Sequence, residues 1–240
     1  SSPSIGWGRK ESLLQGDSHY WGVWWGKEPF EIYEEKVGRF MSEYGFQGMP
    51  DKSTFNYYAK GKPLEFDSEI IKSHQKHPTG YETIKEYMQR DYVIPKTFEN
   101  YSYVSQLLQA KGMKMAIEAH RRAKPNCMGT LYWQLNDCWP VTSWSSVDYF
   151  GNWKASHYQV KQSFENLLIS VEEEKEKYQV YLVNDSLQDI LGNLIVKTID
   201  FNGKVLFEKT ILAEVKANSS QIVYTFSKKD IPKKYRKKSV

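Results

Sequence analysis

Three short stretches of this sequence carry side chains that could do chemistry. In Arg39-Phe40-Met41-Ser42-Glu43-Tyr44-Gly45-Phe46-Gln47-Gly48 an extended run ends in a carboxylate, and the aromatic and glycine residues behind it cannot continue a regular strand. A glutamate at the carboxyl end of a parallel strand stands where loops build active sites in α/β folds. The plainer alternative is a structural carboxylate paired with Arg39. A second run, Trp133-Gln134-Leu135-Asn136-Asp137, closes another apolar stretch, so polar and aromatic groups from two strand ends converge on one face. The third stretch holds His74 and His77, three apart as helical metal ligands can be. No third ligand accompanies them and Pro78 ends the segment at once, so no metal is assigned.

The elements needed to position these groups are legible from periodicity. Residues 1–30 are glycine-rich and loop-like, with a short buried strand and aromatic rim expected in His19-Tyr20-Trp21-Gly22-Val23-Trp24-Trp25-Gly26. Phe30 to Glu35 reads as a short helix or turn and Val37 to Ser42 as a strand. A polar connection follows Pro50. Ser68 is placed to cap a helical turn or two up to His74, Tyr81 to Tyr92 is expected to be helical, and Pro95 stops it. The longest helix runs from Phe98 to Ala123, with Val104, Leu107, Leu108, Met113, Met115, Ala116 and Ala119 recurring three and four apart. Met128 to Leu135 then reads as a strand buried on both faces. A helix from Trp153 to about Phe164 is expected to expose Lys154, His157 and Lys161.

This βα alternation gives way near Glu165 to short alternating strands over Leu167–Val171, Tyr178–Val183, Leu194–Ile199, Val205–Ile211 and Gln221–Phe226. Turn signals such as Asn184-Asp185-Ser186 and Asn202-Gly203-Lys204 separate them, which describes an antiparallel sandwich. The expected division is an α/β part over 1–165 and an all-β part over 166–240.

Composition narrows the function classes. The chain has 240 residues, 40% hydrophobic and 15% aromatic, which suits one large or two modest globular domains. The net charge of +4 comes largely from the closing cluster Lys228, Lys229, Lys233, Lys234, Arg236, Lys237 and Lys238. That cluster lacks interleaved base-stacking aromatics, so it reads as a solvated chain end and not as a nucleic-acid patch. No apolar run has the length of a membrane span, and no signal peptide is evident. Cys127 and Cys138 read as two buried free thiols. The chain opens without an initiator methionine, consistent with a piece of something longer.

At its motifs the sequence resembles the β-mannosidases of glycoside hydrolase family 2. Ser42-Glu43-Tyr44-Gly45-Phe46-Gln47 is similar to the nucleophile motif at the end of the seventh barrel strand. Tyr132-Trp133-Gln134-Leu135-Asn136-Asp137-Cys138-Trp139-Pro140 is similar to the end of the eighth, and Ser145-Ser146-Val147-Asp148-Tyr149 and Trp153-Lys154 match as well. The resemblance implies the last strands, about six to eight, of a (β/α)8 TIM barrel, followed by an immunoglobulin-like β-sandwich. It implies a retaining glycosidase that removes β-linked mannose from oligosaccharide ends, with no cofactor. By the same carry-over Glu43 is the nucleophile and Trp133 the platform under the sugar, although a core tryptophan is the alternative there. His19, Tyr20 and Trp24 fall where related enzymes orient the nucleophile, with core or rim packing equally open for each. Asn136 and Asp137 either bond sugar hydroxyls or tie down the strand end.

One feature departs from the family. Its acid/base glutamate follows an asparagine, well before the nucleophile, whereas this sequence contains no Asn-Glu dipeptide. The expectation is therefore a chain inactive by itself, whose partners are a mannose-containing oligosaccharide and a preceding part of the same polypeptide. A β-galactosidase or β-glucuronidase of the same family and a non-catalytic carbohydrate-binding protein are the alternatives. The compartment is not readable; relatives act in lysosomes, the bacterial periplasm or the cytoplasm.

Overall fold

The computed structural model describes residues 5–175 and 177–230, so most of the basic cluster at the end of the chain lies outside the described residues. The chain divides into two compact units, Ser1–Phe164 and Glu165–Val240.

The first unit is mixed helix and sheet. Its strands β1 (Ile5–Gly6), β2 (Ser18–His19) and β3 (Met41–Glu43) pair in parallel in that order. The 128–133 segment continues the layer beside β3. The Met41 N–H donates to Gly129 O (2.9 Å), the Leu131 N–H to Met41 O (2.8 Å) and the Trp133 N–H to Tyr44 O (2.7 Å). Parallel neighbours need a long crossover. A short helix α1 (Ile32–Glu35) lies between β2 and β3. The connection from β3 to the 128–133 segment carries α2 (Lys52–Ala59), α3 (Glu69–Ser73), α4 (Gly80–Asp91) and α5 (Phe98–Arg122), and α6 (Ala155–Ser163) follows.

Local chemistry accounts for the helix limits. The Thr97 side chain accepts from the Asn100 N–H at the start of α5, and Arg121 and Arg122 occupy its last turn, where cations suit the helix dipole. Helix α2 lies in the stretch that sequence reasoning left as a polar connection. Asp51 caps it by accepting from the Ser53 N–H (2.8 Å), and Lys60 ends it at φ 49°. With only Phe55, Tyr58 and Ala59 to mark its apolar face, two turns of helix gave too short a periodic signal. Ser68 does hold the position before α3, but its hydroxyl donates back to Glu65 O (2.7 Å) and does not cap.

The core is built on aromatic edges. Phe46 packs edge-on against Trp24, Phe30 and Tyr87, with ring centroids 5.2, 5.0 and 4.8 Å away. Gln109, buried on α5, donates from Nε2 to Phe46 O (2.8 Å) and Trp144 O (3.0 Å), and its Oε1 accepts from Ser156 (3.0 Å). One side chain thus bonds carbonyls of two loops, of which that of Trp144 also accepts from the Gln134 N–H (3.3 Å).

Three expectations are corrected here. Met128 to Leu135 is packed on one face only: Leu131, Trp133 and Leu135 stay exposed, because none of the described residues covers their side of the segment. Cys127 is buried, whereas Cys138 is exposed, beyond the turn that ends the packed segment; both thiols are free. Lys154 is buried, not on an exposed face, because it precedes the first turn of α6 and turns inward to donate from Nζ to Gly48 O (2.9 Å).

The second unit is β-sandwich-like and antiparallel throughout. One sheet has the order β4 (Leu167–Glu174), β5 (Lys177–Asn184), β8 (Ser219–Ser227); the other pairs β6 (Ile190–Ile199) with β7 (Val205–Val215). Val180 and Leu182 of the first sheet meet Leu194, Ala213 and Val215 of the second in a small core. The turns behave as their residues require. Asp200 accepts from the Asn202 and Lys204 N–H groups (2.9 Å each), with Gly203 at φ 83°.

Burial pulls the Lys154 pKa down to about 8 from its ordinary 10.5, with the Asp137 and Asp148 charges opposing the shift. Between those two values the folded protein has lost a proton that the unfolded chain keeps, so unfolding free energy rises with pH across that window. In urea denaturation series, wild type should gain stability relative to Lys154→Met as pH is raised from 8 to 10.5. Parallel pH profiles for the two proteins would contradict this.

Candidate active site

The parallel register decides which side chains meet Glu43. His19 of β2 is opposite Glu43 of β3, and the Tyr20 N–H donates to Glu43 O (2.8 Å). Side chains alternate along an extended chain. Residues 19 and 21 therefore fall on the Glu43 side, while Tyr20 points away from it. Trp21 Nε1–H donates to Glu43 Oε1 (2.8 Å), and His19 Nδ1 stands 3.7 Å from the same oxygen. The second oxygen, Oε2, accepts no hydrogen bond among the described residues, and the Glu43 side chain keeps 25% of its surface exposed. Arg39 is not its partner. One oxygen is thus held and the other left open, which suits a carboxylate that attacks or exchanges a proton.

Trp133 is 42% exposed, and its backbone is bound to the chain leaving β3. Gly45 makes that approach possible: a Cβ there would lie 2.1 Å from Trp133 O and 3.3 Å from the Trp21 ring. Beneath, the Tyr44 hydroxyl lies 2.7 Å from Thr130 Oγ1, which is 2.8 Å from His120 Nδ1. Burial drives the His120 pKa down to about 3, so the imidazole is neutral at pH 7 and ties α5 to both strands without a charge. The Trp133–Gln134 peptide is cis.

The remaining candidates separate. Tyr20 is buried and donates from its hydroxyl to Glu28 (2.5 Å), and burial raises its pKa. Trp24 is buried in the core, and its backbone N–H donates to the Tyr87 hydroxyl (3.2 Å). Asp137 is buried too, accepting from Ser143 (2.7 and 2.9 Å) and from Ser145. All three side chains are buried, and the Asp137 carboxylate is held by hydroxyls of the segment that follows the strand end. Asn136 is exposed beside the bridge to Val147, and its carbonyl accepts from Gln134 Nε2 (2.7 Å). Sequence reasoning missed Trp21, although its two-residue spacing from His19 was the available signal.

His74 stacks on Tyr58 with centroids 3.8 Å apart and its Nδ1 lies 2.6 Å from Pro140 O, while His77 packs on the edges of Trp24 and Trp25. No group of three or more His, Cys, Asp or Glu among the described residues could hold a metal. No helix among them is long and apolar enough to cross a membrane.

Known proteins resemble this chain in sequence and in fold. The family profile described as Mannosidase Ig/CBM-like domain matches residues 176–240. Beta-mannosidase B of Emericella nidulans is 30% identical over 217 residues, which is 83% of this chain and 26% of the relative. Beta-mannosidase B of Aspergillus clavatus is 32% identical over 233 residues, covering 88% and 28%. The crystal structure of Beta-D-Mannosidase from Dictyoglomus thermophilum superposes with a TM-score of 0.85 at 36% identity, over 91% of this chain and 27% of that one. The exo-chitosanase of Amycolatopsis orientalis shares the fold at 16% identity, with a TM-score of 0.64 over 83% of this chain and 26% of that one. These matches define the class as glycoside hydrolase. Within it, the named relatives are β-mannosidases, and the likeness over most of this chain supports the glycoside hydrolase family 2 β-mannosidases that its motifs suggest. It spans about a quarter of the length of the curated relatives it matches.

The Gly45 contact yields a direct check. Gly45→Ala sets a methyl group against backbone, not against a yielding side-chain tip, so it should destabilise the protein by about 1–3 kcal/mol, the usual cost of overpacking. Denaturant titration measures the loss. A variant as stable as wild type would show that the β3 exit and Trp133 are not held this closely.

Proposed function

We propose that this chain is the nucleophile-bearing part of a retaining exo-β-mannosidase, and that its first unit supplies closing strands of a (β/α)8 barrel. The observation that carries the reading is Glu43 itself, at the carboxyl end of a parallel strand with Oε1 held by Trp21 and Oε2 open. The order β1, β2, β3 and then the 128–133 segment, all parallel, is what successive barrel strands would give.

In this mechanism Glu43 Oε2 attacks the anomeric carbon and forms a glycosyl-enzyme ester as the bond to the leaving oxygen breaks. The Trp21 N–H holds the other oxygen, so the carboxylate meets the sugar in one orientation. Trp133 lies under the ring as an aromatic platform. His19, a partly exposed neighbour of the same carboxylate oxygen, and Asn136, at the exposed strand end, are the groups placed to meet hydroxyls. The leaving oxygen takes its proton from an acid/base carboxylate that then draws a proton from water, and the water oxygen releases the sugar. That carboxylate belongs to the preceding part of the complete polypeptide, since these 240 residues contain no Asn-Glu pair.

Two outcomes test the reading. Treating the complete polypeptide with a 2-fluoro-β-mannosyl fluoride should leave one sugar on the peptide carrying Glu43, read by mass spectrometry; Glu43→Gln should take no label and lose about four orders of magnitude in kcat. Label on a different residue would refute the assignment. The 240-residue chain alone should not turn over an aryl β-mannoside. Loss of a general acid costs about 100-fold to 10,000-fold by itself, and robust turnover would show that no second carboxylate from elsewhere is needed.

A further inference from the structure

Away from Glu43, between the 72–82 stretch and the 94–101 stretch, lies a cavity of about 540 Å³, the volume of a small-molecule site. Its walls are apolar and aromatic: Phe66, Tyr81, Tyr101, Ile94 and Pro95. Three lysines, Lys72, Lys85 and Lys96, reach its rim, and none of them has a carboxylate partner among the described residues. Against them stands a single lining carboxylate, Glu82.

The other polar groups add donors. Gln75 Nε2 is buried with no hydrogen-bond partner, while its Oε1 is occupied by the His77 N–H (3.2 Å). His77 Nδ1 accepts from the Thr79 N–H (3.2 Å), which leaves the ring proton on Nε2. The Tyr81 hydroxyl is engaged with Thr142 (3.1 Å). The cavity is thus rich in free donors and positive charge, poor in acceptors, and walled by rings. A second cavity, of about 500 Å³, makes the contrast: its rim charges Lys52 and Glu99 neutralise each other at 2.9 Å.

From this imbalance we infer that the cavity binds an anionic, monosaccharide-sized ring ligand, a sugar phosphate or a sugar carboxylate, through Lys72, Lys85, Lys96 and Gln75. The oxygens of the anion satisfy the ammonium groups and the orphaned amide, and the ring lies against Phe66, Tyr81 and Tyr101. Because the lysines are exposed, the attraction is screened by salt.

Glucose-based probes keep the measurement away from a mannose-directed site. In calorimetric titration of the protein at low salt, glucose 6-phosphate or glucuronate should bind at least about tenfold more tightly than glucose. Tryptophan emission gives a second readout, since His77 touches the rings of Trp24, Trp25 and Trp144. Replacing the three lysines together by alanine should weaken the anion by about tenfold or more, and Gln75→Leu should weaken it alone. The lysines are exposed, so circular dichroism should report an unchanged fold. The inference is overturned if neither anion binds, if glucose binds as tightly, or if the triple variant retains full affinity. Inorganic phosphate binding as tightly as glucose 6-phosphate would overturn the ring contact. Glucuronate binding without glucose 6-phosphate, or the reverse, supports the site and selects the anion.

Discussion

Everything near Glu43 depends on how backbone groups are satisfied just past the end of β3. The Tyr20 N–H takes the Glu43 carbonyl on one side and the Trp133 N–H takes the Tyr44 carbonyl on the other. A buried peptide group left without a partner costs about as much as a lost hydrogen bond, so these two contacts hold three segments in one register. That register puts His19 opposite Glu43 and delivers Trp21 to its carboxylate. Gly45 is the condition for it, since any side chain there would collide with the Trp133 carbonyl.

The polar interior below and beside this point serves the same end. Gln109 spans the carbonyls of Phe46 and Trp144, while Tyr44, Thr130 and His120 form a line from β3 to α5. In a low-dielectric interior a fully satisfied network specifies one arrangement, and an unsatisfied one is costly. Keeping His120 neutral avoids burying another charge in a core that already holds the Lys154 ammonium. The result of this rigidity is that the Glu43 carboxylate is held in one position relative to Trp21 and His19.

The likeness to β-mannosidases runs over most of the chain, and each of the two units is held together in its own way. The first unit spends four helices between β3 and the 128–133 segment, and their aromatic core fixes the loops that leave the strand ends. The second unit has its own small core between two antiparallel sheets and matches the Mannosidase Ig/CBM-like profile.

Much of this was written locally. The 3.6-residue periodicity of α5, the Thr97 cap, the alternation of the later strands and the turn residues around Asp200 act over a few positions, so the chain order alone determined them. So did the candidate carboxylate, because the motif around Glu43 is contiguous. What tertiary structure decided is which neighbours face one another. It turned Tyr20, Trp24 and Asp137 inward, left Leu131, Trp133 and Leu135 exposed on one face, and buried Lys154 against Gly48. It also chose Trp21 over its aromatic neighbours as the partner of Glu43. Those outcomes follow from inter-strand register and from which face of a segment is covered, and both are relations between residues far apart in the chain.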